Sequence, residues 1–160
     1  MTDIITTLQD FTLGLPPLLR WVGVLVAAMV PFVEAEGAAV LGVVAGINPL
    51  VAIPAAVLGN ALALAVVVWV IGTARSGLTR GRQVETNPKR QRMRRVFDRY
   101  GVPGVSLLGP LLLPSHVTAA AMVGFGAPRT RVFVWGVVAV ALWAVVLGTI
   151  AYLGVQAAAG

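Results

Sequence analysis

The chain reads as an all-α integral membrane protein built from two inverted repeats, each a re-entrant helical hairpin followed by a transmembrane helix. Three observations carry that expectation. The first is composition: 160 residues that are 58% hydrophobic and only 11% charged, with a mean hydropathy of +0.90, leave too little polar surface for a soluble domain of this size. The second is segmentation. Residues 37–74, 100–128 and 132–160 contain no Asp, Glu, Lys or Arg, and each exceeds the roughly 20 residues that cross the hydrocarbon of a bilayer. The third is a self-match at an offset of 79 residues, which pairs Arg20 with Arg99, Pro31 with Pro110 and Pro49 with Pro128. Transporters are often built from two such halves.

The elements follow in order. Residues 1–17 place Ile4, Leu8, Phe11 and Leu15 on one helical face, the pattern of a short helix lying at a membrane surface. Acids stand there where a secretory signal would be basic, so no cleaved signal is expected. Repeat 1 covers residues 18–74. Its part 18–49 is too long for one upright helix and too short for two crossings and a turn, and it is interrupted at residues 31–37, PFVEAEG. A half-helix that descends, turns near mid-bilayer and returns satisfies these lengths, and residues 50–74 then form a full span. Repeat 2, residues 100–160, has the same plan: 102–128 is broken at GPLLLPSH, and a span runs over about 132–155.

Between the repeats, residues 75–99 carry nine Lys or Arg against two acids, which makes this linker cytoplasmic under the positive-inside rule. Asn87 as N-cap, Pro88 at the first position and Gly101 at the end delimit a helix. Met93, Val96, Phe97 and Tyr100 share one face of it. The remaining faces carry Lys89, Arg90, Arg92, Arg94 and Arg95 toward anionic lipid of the inner leaflet. If 102–128 returns to the side it left, Arg129 and Arg131 join that cluster and eleven of the twelve positive residues are inside. One net crossing per half then inverts the second repeat, leaves both termini extracytoplasmic and brings the hairpin tips together near the midplane. The charges have no aromatic platform or binding module beside them, so nucleic acid is not an expected partner.

Backbone at that depth must be buried in protein or line a wet cavity. Gly37, Gly42 and Gly46 in one hairpin, Gly124 and Gly126 in the other, and Ala55 and Gly59 on the first span are candidates for close packing. The chemistry concentrates in few residues. Glu34 and Glu36 are the only acids of the hydrophobic portion, and the 79-residue offset sets Ser115 opposite Glu36 and the single histidine, His116, opposite Gly37. Ionisable groups inside a membrane are costly and usually functional. Two carboxylates in a low-dielectric site resist double ionisation, and an imidazole nearby can share the proton. Proton coupling or cation binding follows, with Asn60 as a further polar contact. Half-helix N-termini near Gly37 and Ser115 would instead favour a phosphate or carboxylate, and both polarities stay open. The plainer alternative puts the acids on an exposed turn and makes His116 a helix cap.

Cysteine is absent, so disulfides and thiol chemistry are excluded. No cofactor or metal site is expected, and no serine nucleophile stands at helical spacing from a base, so the residues do not point to an enzyme.

The stretch PFVEAEGAAVLGVVAG, followed by Gly59-Asn60, the basic linker and DRYGVPGVSLLGPLLLP, resembles the bacterial small multidrug export protein family, a relative of the DedA superfamily of membrane proteins with paired re-entrant hairpins. The similarity spans roughly residues 30–152. Glu34, Gly37 and Ala38 match the family's pattern, whereas Glu36 stands where an arginine is usual, and Pro114-Ser115-His116-Val117-Thr118 replaces a Pro-Gly-Thr-Gly-like tip. The resemblance implies transport, with polyprenyl phosphate as one carrier lipid of DedA relatives, and a link to proton-motive force. The expected function is therefore a transporter or lipid-carrier translocase of the cell membrane, proton-coupled through the acids at the hairpin tips and working as a homodimer. The alternative is a non-transporting scaffold or subunit that recruits a partner or anionic lipid through its basic helix.

Overall fold

The computed structural model describes residues 2–78, 88–111 and 113–160; within these, the side chains of residues 2–3, 75–78, 88–94, 96, 98 and 111 lie outside the description. Seven α-helices make up almost all of it: α1 Thr2–Gly14, α2 Arg20–Ala28, α3 Glu34–Val44, α4 Pro49–Leu78, α5 Pro88–Leu108, α6 Ser115–Phe125 and α7 Arg129–Ala159. Short 3-10 turns at Pro17–Leu19 and Gly109–Leu111 join them, and no strand occurs among the described residues. The chain divides into two compact units. The first comprises the part up to Leu62 together with Val140–Gly160, and the second is Ala63–Ala139.

Local chemistry explains the breaks. After Ala28 the chain leaves the helix, and Val33 and Glu34 both donate their N–H groups to the Val30 carbonyl while Phe32 and Glu34 adopt positive φ, 74° and 53°. Helix α3 starts at Glu34, three residues before the expected start near Gly37, because these two residues absorb the reversal and Gly37 is already helical, donating to the Val33 carbonyl. The acids thus fall in the first turn of α3, Glu34 at the bend itself and Glu36 beyond it. At the other end of α3, Ile47 donates to Gly42 and Gly46 to Val43, with Gly46 at φ 80°, the paired bonds of a glycine-terminated helix. The Asn48 side chain then accepts from the Leu50 N–H at 2.8 Å and starts α4, with Pro49 next. Helix α6 ends in the same way: Ala127 donates to Met122 and Gly126, at φ 104°, to Val123.

The plan of break, 11-residue helix, glycine turn and long helix therefore occurs twice. Helix α5 is interrupted at Gly101, φ 65° and ψ −173°, where the sequence places the end of the basic helix. Helices α4 and α7 contain apolar stretches of 26 and 31 residues, about 39 and 46 Å at 1.5 Å per residue, enough to cross a membrane. Helices α2, α3 and α6, of 9 to 11 residues, reach only about half a bilayer's hydrocarbon thickness.

Both long helices bury a stripe at every fourth residue: Ala52, Ala56, Asn60, Leu64 and Val68 on α4, and Val132, Gly136, Val140, Ala144 and Gly148 on α7. In the first unit Gly148 receives Ile53; in the second Gly136 receives Leu64. Small residues dominate the first unit's core, where eight of ten buried members are alanine and the others are Val24 and Val140. The second unit's core is bulkier, with Leu64, Val68, Met122, Val123 and Val132, flanked by Phe97, Phe133 and Trp135. Large apolar side chains instead face outward on the long helices, Leu50 at 84% exposure and Val66, Ile150 and Leu153 near 60%.

Close approach falls on other glycines than expected. Gly59 lies against the Leu25 carbonyl and Gly42 against Val24 and Ala52, but Gly37 and Gly124 meet nothing closer than ordinary contact, and Gly46 and Gly126 serve the turns. Helix α1 docks by Thr12, fully buried against Gly23, so Leu8 and Thr12 form its inward face while Ile4 and Phe11 stay exposed. Gly59→Ala is expected to lose about 1–3 kcal/mol by driving a methyl into backbone, whereas Gly124→Ala leaves stability unchanged or raises it by about 0.5–1 kcal/mol. Thermal unfolding of the two variants in detergent checks the contrast.

Candidate functional site: two polar hairpin tips

In a fold with so apolar an interior, buried polar residues are few enough to map one by one. Thr12, Glu34, Asn60, Ser106, Ser115, His116 and Thr118 are buried. Apart from Thr12, which donates to the Leu8 carbonyl at 2.7 Å and fastens α1, they belong to the two hairpins and the long helix beside the first.

The first tip is the α2–α3 turn. Glu34 is 3% exposed and Glu36 half-buried, both in the first turn of α3. Acids there complement the positive end of the helix dipole. They also occupy the place an external anion would take, so this tip favours positive charge. Asn60 stands on α4 one turn beyond Ala56, which with Ala35 and Ala38 belongs to the first unit's buried core. It is fully buried, and neither Oδ1 nor Nδ2 of its amide makes a hydrogen bond. It lies 11 residues into α4, about 16 Å along the axis, close to the middle of the apolar stretch.

The second tip is different in kind. Ser115 and His116, 7% and 6% exposed, open α6, whose first turn has no acid. Thr118 donates its hydroxyl to the Pro114 carbonyl at 3.2 Å and packs against Gly109. Ser106, 4% exposed on the descending arm, makes no hydrogen bond through its hydroxyl.

Of the residues singled out from the sequence, Glu34, Glu36 and Asn60 thus fall in the first unit, and Ser115 and His116 in the second. The two 11-residue helices begin at a different spacing from that of the prolines. The helix starts are Glu34 and Ser115, an offset of 115 − 34 = 81, so by helix position Ser115 stands level with Glu34, whereas the proline offset of 79 sets it opposite Glu36. The slip arises because the first break is two residues shorter than the prolines imply.

On the basic helix, the side chains of Lys89, Arg90, Arg92 and Arg94, and Asn87 altogether, lie outside the described residues. Arg95 and Arg99 are exposed, Arg99 over the Tyr100 ring at 5.5 Å. Phe97 packs into the second unit's core and against Phe125, ring centroids 6.4 Å apart. One contact went unforeseen: Arg129 lays its guanidinium across Gly72 and donates to the Gly72 carbonyl. The chain that leaves α4 at its C-terminal end therefore returns to that same end. Gly72 is the signal that could have found it, a bare helix position beside the basic cluster. No family model, no curated protein and no solved structure matches this chain, so the site is read from its own residues.

Because the Ser106 hydroxyl is buried without a hydrogen bond, Ser106→Ala is expected to leave stability unchanged or raise it by about 1 kcal/mol. A clear loss in thermal unfolding would mean that the hydroxyl has a partner.

Proposed function

We propose that the chain is an integral membrane transporter or lipid-carrier translocase of DedA-like architecture, proton-coupled through Glu34 and Glu36. The observation that carries this reading is the distribution of polarity. Protonatable and hydrogen-bonding groups are buried at two hairpin tips, while the long helices turn bulky apolar residues outward and, in the first unit, mostly alanine inward. Helix association in lipid relies on such small-residue packing, and acids kept at that depth mark pathways for ions or substrates. Each half contributes one net crossing, with the second repeat inverted, the linker cytoplasmic and both termini outside. The return of Arg129 to Gly72 supports that topology, since it keeps Arg129 at the end of α4 that leads into the basic linker. A homodimer would shield the tips from lipid, and a polyprenyl phosphate is one substrate of the proposed class.

A second reading, the scaffold that recruits a partner or anionic lipid, is favoured by the exposed Arg95 and Arg99 on a helix anchored through Phe97. It predicts a stoichiometric second protein on co-purification and no movement of solute or lipid by the isolated chain.

In proteoliposomes, Glu34→Gln/Glu36→Gln is expected to abolish transport or remove its pH dependence; unchanged flux with the same pH profile would falsify the coupling role. The topology has its own check, simple in a chain without cysteine. A cysteine at position 34 should react with a small aqueous thiol reagent, and cysteines at 129 and 160 should be labelled from opposite sides of the membrane. Labelling of both from one side contradicts a single net crossing in the second half.

A further inference from the structure

We propose that a pocket of the first unit, between the start of α4 and the last turns of α7, binds one neutral lipid whose headgroup carries a hydroxyl, an acylglycerol. The inference needs the chain to be a membrane protein and needs nothing of the transport reading.

The pocket is open, measures about 490 Å³ and is lined by the α3–α4 turn and by Tyr152, Val155 and Gln156 of α7. That volume lies in the range of sites for small organic molecules, roughly 300–1,000 Å³. What the chain leaves out selects the guest first. Residues 37–62 and 140–160, the stretches that build the pocket, contain no Asp, Glu, Lys or Arg, so an ionised headgroup would find no counter-charge there. Helix ends do not replace it. Helix α4 presents its positive end, but Pro49 has no N–H, Leu50 donates to the Asn48 side chain at 2.8 Å, and Val51 and Ala52 donate to the Asn48 carbonyl. Helix α3 closes just before with its negative end, and the two poles oppose each other. The occupant that fits is uncharged.

The side chains that remain name its headgroup. Asn48, Tyr152 and Gln156 bring two carboxamides and a phenol to the lining, groups that both donate and accept hydrogen bonds, as a hydroxyl does. Asn48 and Gln156 are exposed and Tyr152 is 39% exposed, so this rim is open to a ligand from outside. The wall is apolar, with Ile47, Leu50 and Val155. Leu50 is 84% exposed and stands at the beginning of the apolar stretch of α4. A water-borne polyol has nothing to set against that wall. An acylglycerol lays its first methylenes there, gaining by apolar burial, and keeps its hydroxyl on the rim.

The test reads binding without transport. The full chain in phosphatidylcholine nanodiscs receives dioleoylglycerol in steps, and its thermal midpoint is followed, since a ligand of the native state raises it with occupancy. The wild type is expected to show a saturable rise. Tyr152→Phe/Gln156→Leu, at positions outside the core, is expected to need roughly tenfold more lipid or to lose the rise, the worth of two hydrogen bonds; Asn48 stays in place because it caps α4. Trioleoylglycerol lacks the hydroxyl and is expected to give no rise. A wild type indifferent to dioleoylglycerol, an undiminished rise in the double variant, or an equal rise with trioleoylglycerol, phosphatidic acid or free glycerol overturns the site. The saturable rise in a protein that moves nothing in proteoliposomes keeps the pocket and removes the transport reading. Glu34-dependent flux without the rise does the reverse.

Discussion

The contact on which the first unit depends is between backbones: Gly59 of α4 against the Leu25 carbonyl of α2. Only a residue without a Cβ lets one helix come this close to another, and everything around it is scaled to that separation. Val24 reaches Gly42, Ile53 reaches Gly148, and alanines fill the remaining layer. Asn60 follows Gly59 in the chain, so the contact that closes the hairpin onto α4 also fixes where the amide stands relative to α2.

Such a core gains little from the hydrophobic effect. Burying a large aliphatic side chain is worth about 1.5–3 kcal/mol, but here most of the buried cluster is alanine, while Leu50, Ile150 and Leu153 stay outside. Alanine against alanine offers dispersion and fit instead, which suits an environment that solvates the outer surface with hydrocarbon. The second unit is built otherwise, with Phe97, Phe133 and Trp135 around Val132 and Met122, and Trp69 edge-on to Phe133 with centroids 5.3 Å apart. Its bulk lies toward the end where Arg129 and the basic helix are found.

How far the sequence discloses this depends on whether a residue's role is local. Pro49 and Gly101 mark ends that are legible from the sequence, whereas Gly46 and Gly126, expected as packing contacts, act on their own stretch of backbone and end α3 and α6. The start of α3 is not legible, because Phe32 and Glu34 take a conformation their side chains disfavour, and Gly37, the residue that looks made for it, stays helical. Which glycine is a contact and which is idle depends on what lies opposite, so Gly59 and Gly124 cannot be told apart without the packing. Acids and histidine in an apolar run are conspicuous, and Glu34 and His116, like Asn60, are buried. Ser106 is not conspicuous, since a serine in a helix is ordinarily accommodated by its own backbone.

The division of the chain has a temporal side. Each unit includes part of α7, the last of the described helices to leave the ribosome: Val140 and Ala144 complete the first core, and Val132 the second. Vectorial synthesis therefore leaves the contacts of α4 with α7, Ile53 on Gly148 and Leu64 on Gly136, unmade until the linker and the second hairpin have been synthesised. Both cores stay incomplete until α7 is made, and a nascent chain stalled before it would present an unfinished seam to quality-control proteases.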